Sequence, residues 1–318
     1  MTCSCIQQAI TAFWVKPIAS TFTTGWLILS SRIYNSGMAN YVRKPEWLKI
    51  RLGDNEGFIH TRKIIEGQQL HTICSSGRCP NQAECWSSGT ATFMVLGTIC
   101  TRSCRFCNTE TGKPFPPDPG EPARLAESVK LMNLKHVVLT SVDRDDLPDL
   151  GVGHWVQVIQ TLRQVNPEIT VEVLIPDFQG KVELIQKIID EKPDIVSHNL
   201  ETVKRLTPEV RSAAFYDRSL MVLKQLADGG IRTKSGLMLG LGESENELLE
   251  AMDDLLNVGC SILTLGQYLQ PTRRHLPVQA YIHPDQFLHY KEISLLKGFS
   301  LVESGPLVRS SYHAEKHL

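Results

Sequence analysis

The stretch TATFMVLGTICTRSCRFCN, residues 90–108, decides how the rest of the chain is read. Its first half, the apolar run over 92–96, predicts a short buried strand. Its second half sets Cys100, Cys104 and Cys107 at C-x3-C-x2-C spacing directly after that strand. Three thiolates so close together can wrap one cuboidal [4Fe-4S] cluster through three of its irons. The fourth iron then lacks a local protein ligand, which leaves a coordination position for a reacting small molecule. A closed zinc site is the competing reading, but it needs four ligands and generally draws on C-x2-C pairs, whereas this motif offers three thiols.

A second triplet lies just upstream, Cys74, Cys79 and Cys85 at C-x4-C-x5-C, so six of the nine cysteines fall between Cys74 and Cys107. The other three are Cys3, Cys5 and Cys260. Nine cysteines in 318 residues are too sparse for a small disulfide scaffold and too clustered for core thiols. They point to a reducing compartment and to metal or cluster ligation, with zinc a stronger competitor at the first triplet than at the second. Cys260, on the apolar approach to a strand, reads as an inert core thiol.

Downstream, short apolar runs alternate with longer amphipathic stretches. Strands are expected over 92–96, 136–140, 170–175, 194–197, 233–239 and 261–265, and helices over 121–133, 154–165, 181–191, 218–228 and 245–258. In the 181–191 segment Val182, Ile185, Ile188 and Ile189 recur at helical spacing and predict one buried face. The prolines between Pro114 and Pro122 suit a connection and not a helix or central strand. Six β/α alternations favour a parallel sheet, either doubly wound or curled into a partial barrel, and periodicity does not choose between them.

Lysine plus arginine number 33 against 34 aspartate plus glutamate, a net charge of -1. A nucleic-acid binder normally carries a basic surplus, and none exists here. At 42% hydrophobic and 21% charged the composition is that of a globular chain, which excludes collagen, coiled coil and wholesale disorder. Residues 1–45 contain no aspartate or glutamate. Residues 1–40 are read as a disordered or mis-started leader, with Met38 as the working start and an organellar transit peptide as the alternative. Its semi-apolar part is too short and polar for a membrane span.

The C-x3-C-x2-C motif, with Phe106 before its last cysteine, resembles the defining motif of radical S-adenosylmethionine (SAM) enzymes. That resemblance implies an α/β fold, a partial TIM-like (β/α)6 barrel with N-terminal and C-terminal extensions, and a cluster whose open iron chelates SAM. Gly236, Met238, Gly240 and Glu243 follow the superfamily's loose SAM-cradle pattern. Thr140, Ser141, Asn199 and Glu201 fall at carboxyl ends of predicted strands, where ligands of such sheets bind.

The first triplet, the second triplet and the C-terminal RSSY, Arg309 to Tyr312, together resemble the lipoyl synthase family. Supporting stretches are SGRCPNQAECW (76–86), TSVDRDDL (140–147), HNLETV (198–203), TKSGLMLGLGE (233–243) and TLGQYLQPTRRHLPV (264–278). The resemblance implies a second [4Fe-4S] cluster held by Cys74, Cys79, Cys85 and a serine oxygen, assigned to Ser311 with Ser310 as the alternative. Serine is a harder and less natural ligand for iron than thiolate, so that iron is the easiest to release. The implied reaction inserts two sulfurs at C6 and C8 of an octanoyl chain carried on a lysine, with the second cluster as donor. Those carbons bear no acidic proton, so acid–base catalysis has nothing to act on, and hydrogen abstraction by a SAM-derived radical answers the need.

The resemblance further implies an extension over 41–89, a barrel over 90–280 and a closing segment over 281–318. It implies catalytic roles for Ser311 and Arg309 and an apolar channel between the clusters. Implied partners are octanoylated lipoyl carrier domains (2-oxoacid dehydrogenase acyltransferase subunits and the glycine cleavage H protein), a ferredoxin or flavodoxin-type electron donor and Fe-S assembly proteins. No nucleic acid or membrane is expected, and a cytoplasmic monomer is. Arg273, Arg274 and Arg309 are read as meeting an acidic carrier surface. Asp149, Leu150 and Gly151 depart from the Asp-Gly-Gly of many relatives. Competing readings are a biotin synthase-like enzyme, an RNA methylthiotransferase, and a non-catalytic Fe-S or zinc protein.

Overall fold

The structure, a computed structural model, describes residues 43–49 and 55–314. The leader, its Met38 start, Cys3 and Cys5 lie outside the described residues. In chain order the strands are β1 (His71–Thr72), β2 (Thr92–Val95), β3 (Ile99–Cys100), β4 (Glu110–Thr111), β5 (His136–Ser141), β6 (Thr170–Leu174), β7 (Ile195–Ser197), β8 (Thr233–Leu239), β9 (Ile262–Gln267) and β10 (Leu301–Gly305). The helices are α1 (Asn55–Gly67), α2 (Ile73–Ser76), α3 (Gln82–Ser87), α4 (Glu121–Leu131), α5 (Val152–Val165), α6 (Val182–Asp190), α7 (Thr207–Val210), α8 (Tyr216–Asp228), α9 (Glu245–Asn257) and α10 (Pro284–Lys297).

Eight strands form one sheet in the order β1-β2-β5-β6-β7-β8-β9-β10, parallel throughout except for the antiparallel β1. Each parallel strand lies beside its successor, so the order never reverses. A doubly wound sheet reverses at its switch point, and that alternative is excluded. Right-handed crossovers advancing in one direction put the helices on one face and curl the sheet. Its edge strands β1 and β10 do not pair with each other, so the result is a partial barrel.

Period-two alternation explains the packing. Val137 and Leu139 of β5 and Val171 and Val173 of β6 belong to one buried cluster with Val158 and Ile159 of α5 and Ile185 and Ile188 of α6. A second cluster joins Leu237 and Leu239 of β8 and Leu263 and Leu265 of β9 to α8, α9 and α10. Helix α6 buries Leu184, Ile185, Ile188 and Ile189, but Val182 at its first position is 58% exposed, so the expected buried face starts one turn later. The alternate strand residues carry polar groups instead. Lys234 Nζ lies 2.7 Å from Glu172 Oε1, both side chains are almost fully buried, and Ser197 Oγ donates to the same oxygen at 3.0 Å.

Candidate active site

The second triplet occupies the loop at the carboxyl end of β2. Leu96 (φ 68°) and Gly97 (φ 92°) turn the chain out of the strand, and the two-residue ladder of β3 with β4 closes the loop on itself. Arg102 anchors it: the buried guanidinium meets Asp143 at 3.2 Å, Asp145 at 2.7 Å and Asp177 at 2.8 Å. The Arg105 N–H donates to Val210 O, Leu276 N–H donates to Arg105 O, and the His275 Nε2 lies 2.9 Å from Cys107 O. Backbone N–H groups of Arg102 and Asp143 point at Cys100 Sγ, at 3.4 and 3.3 Å.

Burial pushes the Cys100 thiol up to about 11, with Asp143 adding to it, and Cys104 up to about 12, with Arg211 pulling back. Burial also raises Cys107. These thiols need the charge of a bound metal or cluster to ionise at neutral pH. All the cysteines among the described residues are free.

The predicted strand-end residues gather near this loop. Thr140 Oγ1 is committed to Leu174 O at 3.3 Å. Ser141 Oγ and Asn199 Oδ1 are buried and have no hydrogen-bond partner, which fits them to receive the polar groups of a ligand. Asn199 Nδ2 donates to Glu201 Oε1 at 3.0 Å and to Ser310 Oγ at 2.7 Å. Glu201 sits at a left-handed φ of 66° and its main chain bonds to Gly236 and Met238. Burial raises its carboxyl, while Arg211, Asn199 and Arg309 pull it back.

A Cβ on Gly236 would stand 2.6 Å from Thr264 Oγ1 and 3.1 Å from Asn199 Oδ1, and one on Gly240 would collide with the carbonyl oxygen of Ala280 and the amide of Gln267. The crowding is the protein's own. Glu243 is spent on the same turn, accepting from the N–H groups of Gly240 (2.5 Å) and Leu241 (2.9 Å).

The first triplet lies at the open side of the barrel. Cys74 is on α2, Cys79 in the following turn and Cys85 on α3. A cavity of about 540 Å³ is lined by all three, together with Thr92, Arg309, Ser311 and Tyr312. Burial pushes Cys85 up to about 12 and also raises Cys74 and Cys79. Thr92 Oγ1 donates to Ser311 Oγ at 2.7 Å, while Ser310 turns the other way, to Asn199. Three thiols and one hydroxyl around a shared cavity are the donor set a four-iron cluster needs, so the residues fit that group.

Arg309 lines the cavity of the first triplet. It is half-buried and its guanidinium feels both Cys79 and Glu201. Glu201 in turn raises Cys107. Arg273 and Arg274 are exposed, next to His275. Arg102, Asp143, Arg211, Thr92 and Asn81 escaped the sequence reading; the acid-rich TSVDRDDL beside a cysteine-flanked arginine was the available signal.

A parallel partial barrel with a three-cysteine loop after its first parallel strand defines a radical SAM protein. The profile of the Radical SAM superfamily matches residues 94–255, and SuiB of Streptococcus suis bound to S-adenosylmethionine superposes at a TM-score of 0.54, with 13% identity over 70% of this chain and 54% of that one. Lipoyl synthase of Parabacteroides distasonis is 63% identical over 88% of this chain and all of its own length. That of Bacteroides fragilis is 65% identical over 87% and 96%, and that of Treponema denticola 58% over 87% and 95%. The chain belongs to the lipoyl synthase family, and it is a radical SAM enzyme of the sulfur-inserting kind whose cofactors include SAM and a [4Fe-4S] cluster. Among the described residues no helix is long and apolar enough to cross a membrane.

Proposed function

We propose that this chain inserts sulfur at C6 and C8 of an octanoyl group attached to a lysine of a lipoyl carrier domain. In this reading Cys100, Cys104 and Cys107 hold the cluster that binds SAM, and Cys74, Cys79, Cys85 and Ser311 hold a second cluster. The bound groups supply a 5′-deoxyadenosyl radical and sulfide sulfur. The chain's own residues hold, orient and shield. Ser141, Asn199 and Glu201 offer polar contacts to SAM beside Cys107. Gly236 and Gly240 contribute by letting the surrounding side chains and backbone close up, and Glu243 by fixing the turn after β8. Arg309, between Cys79 and Glu201, balances thiolate charge on one side and carboxylate on the other. The exposed Arg273 and Arg274 are available to an acidic carrier domain.

The observation that supports this most is the meeting of Ser311, from the far end of the chain, with three cysteines more than 220 positions upstream around one cavity. Octanoylated acyltransferase subunits and H protein are the proposed carriers, a ferredoxin or flavodoxin-type protein the electron donor, Fe-S assembly proteins the source of clusters, and the cytoplasm the location. An anaerobic single-turnover reaction with reductant, SAM and an octanoylated carrier domain, read by intact mass of the carrier, tests the reading. The carrier should gain two sulfurs, and Cys79→Ala should abolish that gain while SAM is still cleaved. SAM cleavage without sulfur gain in the unaltered protein redirects the search to another acceptor; no SAM cleavage in iron-loaded protein refutes the enzyme reading.

A further inference from the structure

Asn81 stands at the N-cap of α3, where an asparagine side chain ordinarily accepts a hydrogen bond from the first-turn N–H groups. Here it makes no cap bond. The side chain is buried and its Nδ2 donates at 2.7 Å to Leu307 O, 226 residues away and four positions before Ser311. Meanwhile the Asn81 and Gln82 backbones face the Cys79 sulfur. One residue therefore touches both halves of the first-triplet cavity, and it forgoes a local bond to reach the distant one.

The rest of the returning segment is held in one register. Gly266 lies under Val308 so closely that a Cβ there would collide with its carbonyl oxygen. Beyond it, Ser310 is taken by Asn199 and Ser311 by Thr92. Tyr312 Oη donates to Glu84 at 3.3 Å. The Leu307 contact is the first of these after β10, and it comes from the helix that carries Cys85.

We propose that Asn81 is a positioning residue for the second cluster: by latching Leu307 it sets the strap over 306–314 so that Ser311, and not Ser310, faces the three thiols. The inference rests on the reading that Ser311 completes that cluster. Ser310 and Ser311 are the two central residues of a turn closed by the Tyr312 N–H donating to Arg309 O, and their hydroxyls meet different partners, Asn199 and Thr92, so displacing that turn changes which of the two reaches the thiols.

The test uses the full chain with Cys100, Cys104 and Cys107 replaced by alanine, so that only the first triplet can hold a cluster. After reconstitution and reduction, its electron paramagnetic resonance spectrum is compared with those of Asn81→Asp, Ser311→Ala and the double variant. Aspartate has nearly the shape of asparagine and cannot donate to a carbonyl when ionised. Asn81→Asp should reproduce the altered spectrum of Ser311→Ala, and the double variant should go no further. In the metal-free full chain, amide exchange of Leu307 and Val308 should quicken about tenfold in Asn81→Asp, whereas Ser311→Ala, which loses only the Thr92 bond further along, should quicken exchange around residue 311 and not at Leu307. Should a buried carboxylate prevent folding, Asn81→Ala carries the same comparison. A serine-dependent spectrum that Asn81→Asp and Asn81→Ala leave untouched overturns the latch alone. A background protein that takes up no four-iron cluster, or whose spectrum ignores Ser311→Ala, overturns the serine-ligand reading and the latch with it.

Discussion

Replacing Arg102 with alanine is the most informative single perturbation of the cysteine loop. Its side chain is 7% exposed and neutralises three carboxylates, Asp143, Asp145 and Asp177, the last fully buried and also met by Arg218 at 3.3 Å. Removing one partner of a buried ion pair typically costs about 3–5 kcal/mol, because the remaining charge is left uncompensated. Three carboxylates lose their shared cation here, while Arg218 still serves Asp177, so a loss of about 3–5 kcal/mol is expected near pH 7. Hydrogen bonding to Arg102 holds Asp145 down at about 2, and Asp177 is lowered by the same guanidinium against its burial. A carboxylate depressed in the fold contributes stability that is present above its unfolded value, about 3.9, and lost as pH falls through its folded value. Asp143 behaves differently: burial pushes it up to about 6 in spite of Arg102, so its share of the gap is present only above that value, and the gap between parent and variant should be full only above about pH 6 and close in two stages, through about 6 and then toward about 2. Urea unfolding of the metal-free, reduced protein, followed by tryptophan fluorescence across that range, reads it. A loss below about 1 kcal/mol at pH 7, or a gap that does not narrow on acidification, refutes the anchoring role. Lysine at this position should recover only part of the loss, since a point charge cannot bridge three carboxylates as a guanidinium does.

Leu150 has a φ of 54° and its side chain is buried, so Leu150→Gly should relieve about 1 kcal/mol of backbone strain and lose about 2–5 kcal/mol of packing. Melting of the variant should occur below that of the parent, and a rise would show that strain dominates. Gly240→Ala places a Cβ against Ala280 and Gln267 at a φ of 95°. It should lower stability by more than the roughly 1–2 kcal/mol of left-handed strain alone, whereas an equal melting point would show that the turn can give. Lys234→Met leaves Glu172 buried without its 2.7 Å partner and should cost about 3–5 kcal/mol, while pairing it with Glu172→Leu should recover much of this. Additive losses in urea would contradict direct coupling.

Most of the frame was legible in advance because its signals are local. Each of the six expected strands is present within a few residues, since apolar runs of this length bury the same way in any parallel sheet. β1 and β10 were missed: His71–Thr72 is too short to show a pattern, and Leu301–Gly305, LVESG, at a sheet edge has only two apolar residues and no alternation. The charged interior was missed too. In β6 the sequence TVEVL shows two outward valines around one glutamate, and nothing local says that its partner is Lys234, 62 residues on.

The two cysteine spacings and the terminal RSSY by themselves determined the chemistry on offer, because ligand identity and short spacing are properties of the chain alone. Which of two adjacent serines lines the cavity of the thiols, what crowds Gly236 and Gly240, and that Arg309 lines that same cavity were decided only by the tertiary structure. Those answers depend on contacts between residues far apart in sequence, such as Thr92 with Ser311, Asn199 with Ser310 and Asn81 with Leu307. Such contacts exist only once the sheet has curled and brought the segments over 74–92 and 306–314 together.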